Sequence, residues 1–253
     1  MREVVVGPGS AKMRWVERPG DEPVRVYVHG LGASNAYFAE IAADPGLGAK
    51  RSLLVDLLGF GLSDRPARFG YTLEEHADAL AAVLDAAGVA GATVIGHSMG
   101  GSVAIVLAAR RPDLVGSLVV VEPNLDPLPT APGQLDSSGI AHYAEQDFVD
   151  RGYNRTLALV GDTWRATMRL CDPLALHRSA VGLVAGTVPT MRELLVRLDI
   201  PRTYVEGARS TQVPRKDELI TAGVRHVVVP GAGHNVMIDN PGGFVEILAP
   251  ILA

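Results

Sequence analysis

Two residues far apart in the chain carry the types and surroundings that nucleophilic acyl chemistry needs, Ser98 and His234. Ser98 sits in Gly96-His97-Ser98-Met99-Gly100, a G-x-S-x-G pattern between an apolar run and an Ala/Val/Leu-rich stretch. Glycines on both sides let a strand turn sharply into a helix. The turn holds the serine hydroxyl out and aims the following N–H at the same space. A serine capping a glycine-rich helix start is the plain alternative. His29-Gly30-Leu31-Gly32 closes an earlier apolar run. By itself it reads as a tight turn with a packed histidine. Combined with Ser98, it lets the amides of Leu31 and Met99 form a two-donor oxyanion hole, the usual main stabiliser of acyl-transfer transition states. His234 ends Gly231-Ala232-Gly233-His234, after the last apolar run, and has the position of a general base. His76, His142, His177 and His226 fall within expected helices or a strand and read as surface or packing residues. His97, beside the serine, reads as structural or pocket-lining.

The elements that must position these groups follow from periodicity. Short β-rich runs occur at Glu3–Val6, Lys12–Glu17, Val24–His29, Ser52–Asp56, Ala92–Ile95, Leu118–Val121, Arg202–Val205 and Arg225–Val229. Several are unbroken apolar runs, as expected of strands covered on both faces of a parallel sheet. Between them the period becomes helical. Thr72-Leu73-Glu74-Glu75 forms a capping box, followed by Leu73, Ala77, Leu80, Ala81 and Leu84 on one face and Gly88 at the end. Gly100–Arg110 is a second helix, stopped by Pro112. Alternation of this kind predicts a doubly wound α/β fold.

From Pro123 to Leu198 the rhythm breaks. Pro123, Pro127, Pro129 and Pro132 precede three helical patterns, Ile140–Arg151, Asn154–Leu170 and Leu174–Val184, with no strong strand among them. A helical insert in a parallel sheet is expected to cover the carboxyl ends of the strands, where α/β ligands bind.

Four segments in order, His29–Gly32, Asp56–Asp64 (DLLGFGLSD), Gly96–Gly101 and Gly233-His234, give the chain a resemblance to the α/β-hydrolase superfamily over nearly its whole length. The resemblance implies a mostly parallel eight-stranded sheet with helices on both faces and a helical lid inserted after the sixth strand. The core is then 1–122 with 199–253, and the lid 123–198. It also implies Ser/His chemistry, while serine at position 98 argues against a dehalogenase, which would carry aspartate there. One departure stands out. The acid of most relatives follows the seventh strand in a G-x-x-D pattern, where Gly207-Ala208-Arg209-Ser210 offers Ser210. A serine cannot fix the imidazole tautomer and support the imidazolium. Glu122 is the leading substitute. It ends the run Leu118–Val121, where an unpartnered carboxylate is costly, and some branches of the superfamily carry their acid there. Glu206 and Asp126 are the next candidates.

In the insert, Trp164 and Met168 are four apart and share a helical face. Together with Gly30 and His97 they are the expected pocket residues, and their character points to an uncharged hydrophobic substrate. Phe60 could brush the same pocket. Arg165 and Arg169 read as solvated or paired, and Cys171 as a small buried hydrophobe.

Composition sets the outer limits. The 253 residues include one cysteine and a net charge of −5 from 28 acidic and 23 basic side chains, spread along the chain. This excludes an intramolecular disulfide or multi-cysteine metal site and gives no sign of nucleic-acid binding. No apolar run reaches the roughly 18 residues of a membrane span, and Met1–Pro8 is no secretory h-region, so a cytoplasmic enzyme without metal or organic cofactor is expected. Oligomeric state is not set by the sequence. The leading function is a serine hydrolase of an ester or lactone. A carbon–carbon bond hydrolase or thioesterase would use the same groups. A cyclase or acyltransferase would replace water by a bound alcohol, and a non-catalytic ligand-binding module would keep the fold alone.

Overall fold

The computed structural model describes residues 1–253, the side chain of Pro8 apart. Eight strands form one sheet: β1 Arg2–Val5, β2 Lys12–Arg18, β3 Asp21–Val28, β4 Lys50–Asp56, β5 Ala92–His97, β6 Val115–Val121, β7 Arg202–Gly207 and β8 Arg225–Val229. The spatial order is β1-β2-β4-β3-β5-β6-β7-β8. β2 runs antiparallel to β1 and β4, and all other pairs are parallel.

The unbroken apolar runs divide by alternate residues between two cores. Val26, Val28, Leu53, Val55, Val94, Leu118 and Val120 point into one hydrophobic cluster. Tyr27, Leu54, Ile95, Val119 and Val121 point into another on the opposite face. Successive strand side chains face opposite sides, so a sheet covered twice needs apolar residues at both. On the first face the helix Leu73–Ala86, started by the Thr72–Glu75 capping box, packs against the helix Met99–Arg110. On the second, Phe38, Ile41, Phe244 and Leu248 join the strand residues.

The segment between β6 and β7 is helical, with helices at Ser137–Ala141, Tyr153–Leu159, Asp162–Met168, Pro173–Ala185 and Met191–Arg197. Three expectations change here. The helix expected over Ile140–Arg151 is interrupted after Ala141, restarts at Glu145 and closes in a π-helical turn over Phe148–Gly152. The single helix expected over Asn154–Leu170 breaks at Val160 and Gly161, both extended, and restarts at Asp162. Glycine is a poor helix former, and an acidic residue beginning a new helix favours its N-terminus. The helix Met191–Arg197 was not expected, although Thr190-Met191-Arg192-Glu193 spells the capping box that the structure forms. It packs against Met99–Arg110 beside the sheet, with Met191 and Leu195 fully buried in the first core. Among the described residues no helix is long and apolar enough to cross a membrane.

Candidate active site

The chain passes from β3 to its neighbour β4, then crosses back to place β5 on the other side of β3. The carboxyl ends of β3 and β5 therefore diverge at a topological switch point, the usual ligand crevice of α/β sheets. Val28 pairs with Gly96 across this boundary, which sets the His29–Gly32 loop beside Ser98. Ser98 has φ 50° and ψ −120°, a conformation an L-residue holds only when its surroundings impose it. They do: a Cβ on Gly96 would strike the Gly100 backbone, and one on Gly100 would strike the Val28 carbonyl. Both glycines are thus required by the close approach of strand, turn and helix.

Met99 opens the helix after Ser98, where the first N–H groups lack intrahelical partners. Leu31 is buried and lines the same cavity. Its preceding peptide is anchored through the Gly30 carbonyl, which accepts from Ala33 N–H at 3.2 Å and lies 2.8 Å from His29 Nδ1. The N–H and C=O of a trans peptide point in opposite directions, so this anchoring turns the Leu31 amide away from both partners. His29 Nε2 accepts from Leu57 N–H at 3.1 Å, leaving the proton on Nδ1 to donate. Burial pushes the pKa of His29 down, opposed by the charge of Asp56, and favours the neutral ring.

Glu122 follows β6 with φ 47°, its backbone N–H donating to the Val205 carbonyl of β7. One carboxylate oxygen lies 2.8 Å from His234 Nδ1. The other accepts from Gly207 N–H at 2.7 Å. Burial raises the pKa of Glu122. Hydrogen bonds from His234 and Gly207, the nearby Ser210 hydroxyl and the imidazole's charge outweigh it and hold the carboxyl below its ordinary range. Ser210, standing where the resemblance puts an acid, is thus a neighbour of Glu122, although its buried hydroxyl makes no hydrogen bond of good geometry. The other two candidate acids are engaged elsewhere. Glu206 pairs with His226 at 3.0 Å, and Asp126 pairs with Arg192 at 2.7 Å and Arg215 at 2.6 Å.

Ser98 and His234 line one cavity of about 420 Å³, within the size range of small-molecule sites. The His234 side chain is 54% exposed. His97 is buried, and its Nε2 donates to the His234 carbonyl at 2.9 Å, so it holds the loop that carries His234. Burial keeps His97 neutral by pushing its pKa well down.

Of the other expected pocket residues, Trp164 lines the cavity. Met168 does not. It is fully buried in the first core, because four residues carry it about 40° past a full turn and ~6 Å along the helix. Gly30 backs the site rather than lining it: a Cβ there would lie 2.9 Å from His97 Nδ1 and 3.1 Å from Ser98 Cβ. Phe60 is likewise core. Arg165 is paired with Asp162 and neighbouring carbonyls, and Cys171 is buried, its thiol pKa raised by that burial.

Sequence reasoning missed Tyr37, Asn124, Leu128, Leu135, Asp136 and Asn235, all of which line the cavity. The Pro-rich stretch after β6 carries two of them, Asn124 and Leu128, and was the available signal for those. Among the described residues no group of three or more His, Cys, Asp or Glu is arranged to hold a metal ion.

This elbow, loop and acid–imidazole pair on a mostly parallel sheet define the class of protein. A family model described as alpha/beta hydrolase fold matches residues 23–192, and the chain belongs to that family. It is 29% identical to an esterase, Rv0045c, of Mycobacterium tuberculosis, across 100% of this chain and 89% of that protein. It is 31% identical to a pimeloyl-[acyl-carrier protein] methyl ester esterase of Aeromonas hydrophila, across 92% of this chain and 96% of that one. Its fold superposes on the enol-lactonase of Burkholderia xenovorans LB400 with a TM-score of 0.79 and 20% identity, covering 99% of each chain. The chain is a hydrolase of the α/β-hydrolase type.

Proposed function

We propose that this protein is a serine hydrolase that cleaves the ester or lactone bond of a hydrophobic small molecule through an acyl-enzyme on Ser98. The observation that carries the reading is the 2.8 Å contact between Glu122 and His234 Nδ1 at the cavity that also holds Ser98. The carboxylate fixes the proton on Nδ1, leaving Nε2 free to accept another. His234 takes the Ser98 proton as Oγ attacks the carbonyl carbon. The developing oxyanion is received by the amides of Leu31 and Met99. The imidazolium, steadied by Glu122, returns the proton to the leaving alkoxide, and an acyl-enzyme with free alcohol results. His234 then activates a water, and the second tetrahedral intermediate collapses to the acid and free Ser98.

The cavity supports a neutral, largely apolar substrate. Leu31, Ala33, Leu128, Leu135, Trp164 and Leu183 line it, and the lining includes no lysine or arginine to meet an anion. The one carboxylate there, Asp136, disfavours anions further. The relatives named above are esterases, which supports an ester. The helical segment after β6 is read as the lid of this cavity, through Leu128, Leu135, Trp164 and Leu183.

The test is Ser98→Ala assayed on short p-nitrophenyl esters and on lactones, with a fluorophosphonate probe on the wild type. A fall of at least ~10³-fold is expected, because loss of the nucleophile leaves only binding and oxyanion stabilisation. An unchanged rate overturns the assignment.

A further inference from the structure

The helix Asp162–Met168 touches the loop after β3 at two consecutive backbone carbonyls. Trp164 Nε1 donates to the Leu31 carbonyl at 2.9 Å. Thr167 Oγ1, one turn on, donates to the Gly32 carbonyl at 2.9 Å. Positions three apart share a helix face, so one face of one short helix reads two successive peptides. Gly32 makes the approach possible: its φ is +71°, and any Cβ would collide with the Trp164 indole. Thr167 is buried and the indole partly so, so neither bond is a loose surface contact. Upstream, the Gly30 carbonyl is held by Ala33 and His29. Both peptides flanking Leu31 are therefore anchored, the first by the loop itself and the second by the inserted helix.

We infer that Trp164 and Thr167 are positioning residues for the oxyanion hole: by clamping the Leu31 and Gly32 carbonyls, the inserted helix fixes the backbone on the far side of Leu31 and so holds in place the residue whose N–H, in the peptide anchored by the loop itself, faces the cavity. Covering the cavity and completing the catalytic electrostatics are then one event. A helix seated on the loop holds Leu31 between two anchored peptides, and a helix lifted from it frees the Leu31–Gly32 peptide to rotate, leaving the Leu31 residue and its N–H tethered by the Gly30 carbonyl contacts alone. The inference rests on the serine-hydrolase reading above. It goes beyond that reading in giving the insert a part in transition-state stabilisation as well as in substrate fit.

The experiment uses the full chain. Trp164→Phe keeps an aromatic ring and removes the donor. Thr167→Val keeps the shape and removes the hydroxyl, and Thr167→Ser restores it. Steady-state kinetics on a p-nitrophenyl ester are measured beside the rate of fluorophosphonate labelling at Ser98. Outright loss of an oxyanion donor costs ~10²–10³-fold in kcat, and loosening one is expected to cost about tenfold. The expected result is that fall in kcat for Trp164→Phe and for Thr167→Val, with KM within about threefold, labelling slowed in step, the pH profile unchanged and Thr167→Ser near wild type. A loss confined to KM, or Thr167→Val equal to wild type in kcat and labelling, overturns the inference. A wild-type chain that neither turns over esters nor takes label at Ser98 overturns the hydrolase reading itself. A reactive wild type beside equally reactive variants overturns only the clamp.

Discussion

At the scale of single residues, the chemistry proposed for the site depends on which carboxylate meets His234. Glu122 is 2.8 Å from Nδ1, whereas Glu206 lies with His226, on the far side of a β-strand alternation that no local pattern reveals. Glu122→Gln is expected to lower kcat on a p-nitrophenyl ester by ~10²–10⁴-fold, since the amide cannot hold the imidazole tautomer or its charge. Glu206→Gln is expected to leave kcat within a few-fold and to lower the thermal midpoint by a few degrees, a cost of ~1–3 kcal/mol for disturbing a buried hydrogen-bonded pair. The reverse pattern would move the acid to β7. Position 122 itself was legible, because a carboxylate directly after four apolar strand residues needs a partner. Its partner's identity was legible only with the resemblance. The bond from His97 to the His234 carbonyl was not, since it joins residues 137 apart.

At the scale of elements, the helix Asp162–Met168 has two jobs on adjacent faces. Trp164 reaches the cavity and the loop after β3, while Met168 is sealed in the core. Met168→Ala is therefore expected to cost ~2–5 kcal/mol of folding stability, read from the urea midpoint, as a cavity-forming core truncation does. Its KM is expected to stay near that of wild type. A KM shift without loss of stability would return Met168 to the pocket. The elbow makes a second demand at this scale. Gly100→Ala sets a methyl against the Val28 carbonyl, so strand β3 and the helix Met99–Arg110 must separate. Lower stability, by ~1–3 kcal/mol, together with slowed labelling of Ser98 is expected. The capping box at Thr72 marked its helix start in the sequence, whereas the same pattern at Thr190 lay unread in a Pro-flanked stretch of only seven helical residues. The break at Val160-Gly161 was less so, because the apolar spacing on either side continues through it.

At the scale of the whole molecule, two hydrophobic layers bury histidines as neutral rings. Burial lowers the pKa of His29, His76 and His97, that of His76 to about 3 from an ordinary value of 6.5. The unfolded chain, with ordinary values, binds more protons than the folded one as pH falls below about 6.5. Stability then rises with pH and is lost progressively from that point downward. His76 contributes on the order of 1 kcal/mol between pH 7 and pH 5.5, and His29 and His97 act in the same direction. Denaturant midpoints are expected to fall across that interval, and His76→Leu to flatten the fall, since leucine takes up no proton in either state. A pH-independent midpoint would show that these rings titrate alike in both states. Glu122 behaves in the opposite window: its lowered pKa keeps it charged down through pH 4.5, and its contribution is lost only below that.

Local patterns determined the strands, the main crossover helices, the elbow at Ser98 and the helical nature of the insert, because each is written in a few neighbouring residues by period, glycine spacing or capping. The tertiary structure decided which of the three candidate carboxylates meets the imidazole, which insert residues face the cavity and which the core, and that one helix clasps the loop beside Ser98. Those outcomes depend on the order of strands in the sheet and on the rotation of helices packed against it. Contacts between residues more than a hundred positions apart leave no periodic trace in the chain.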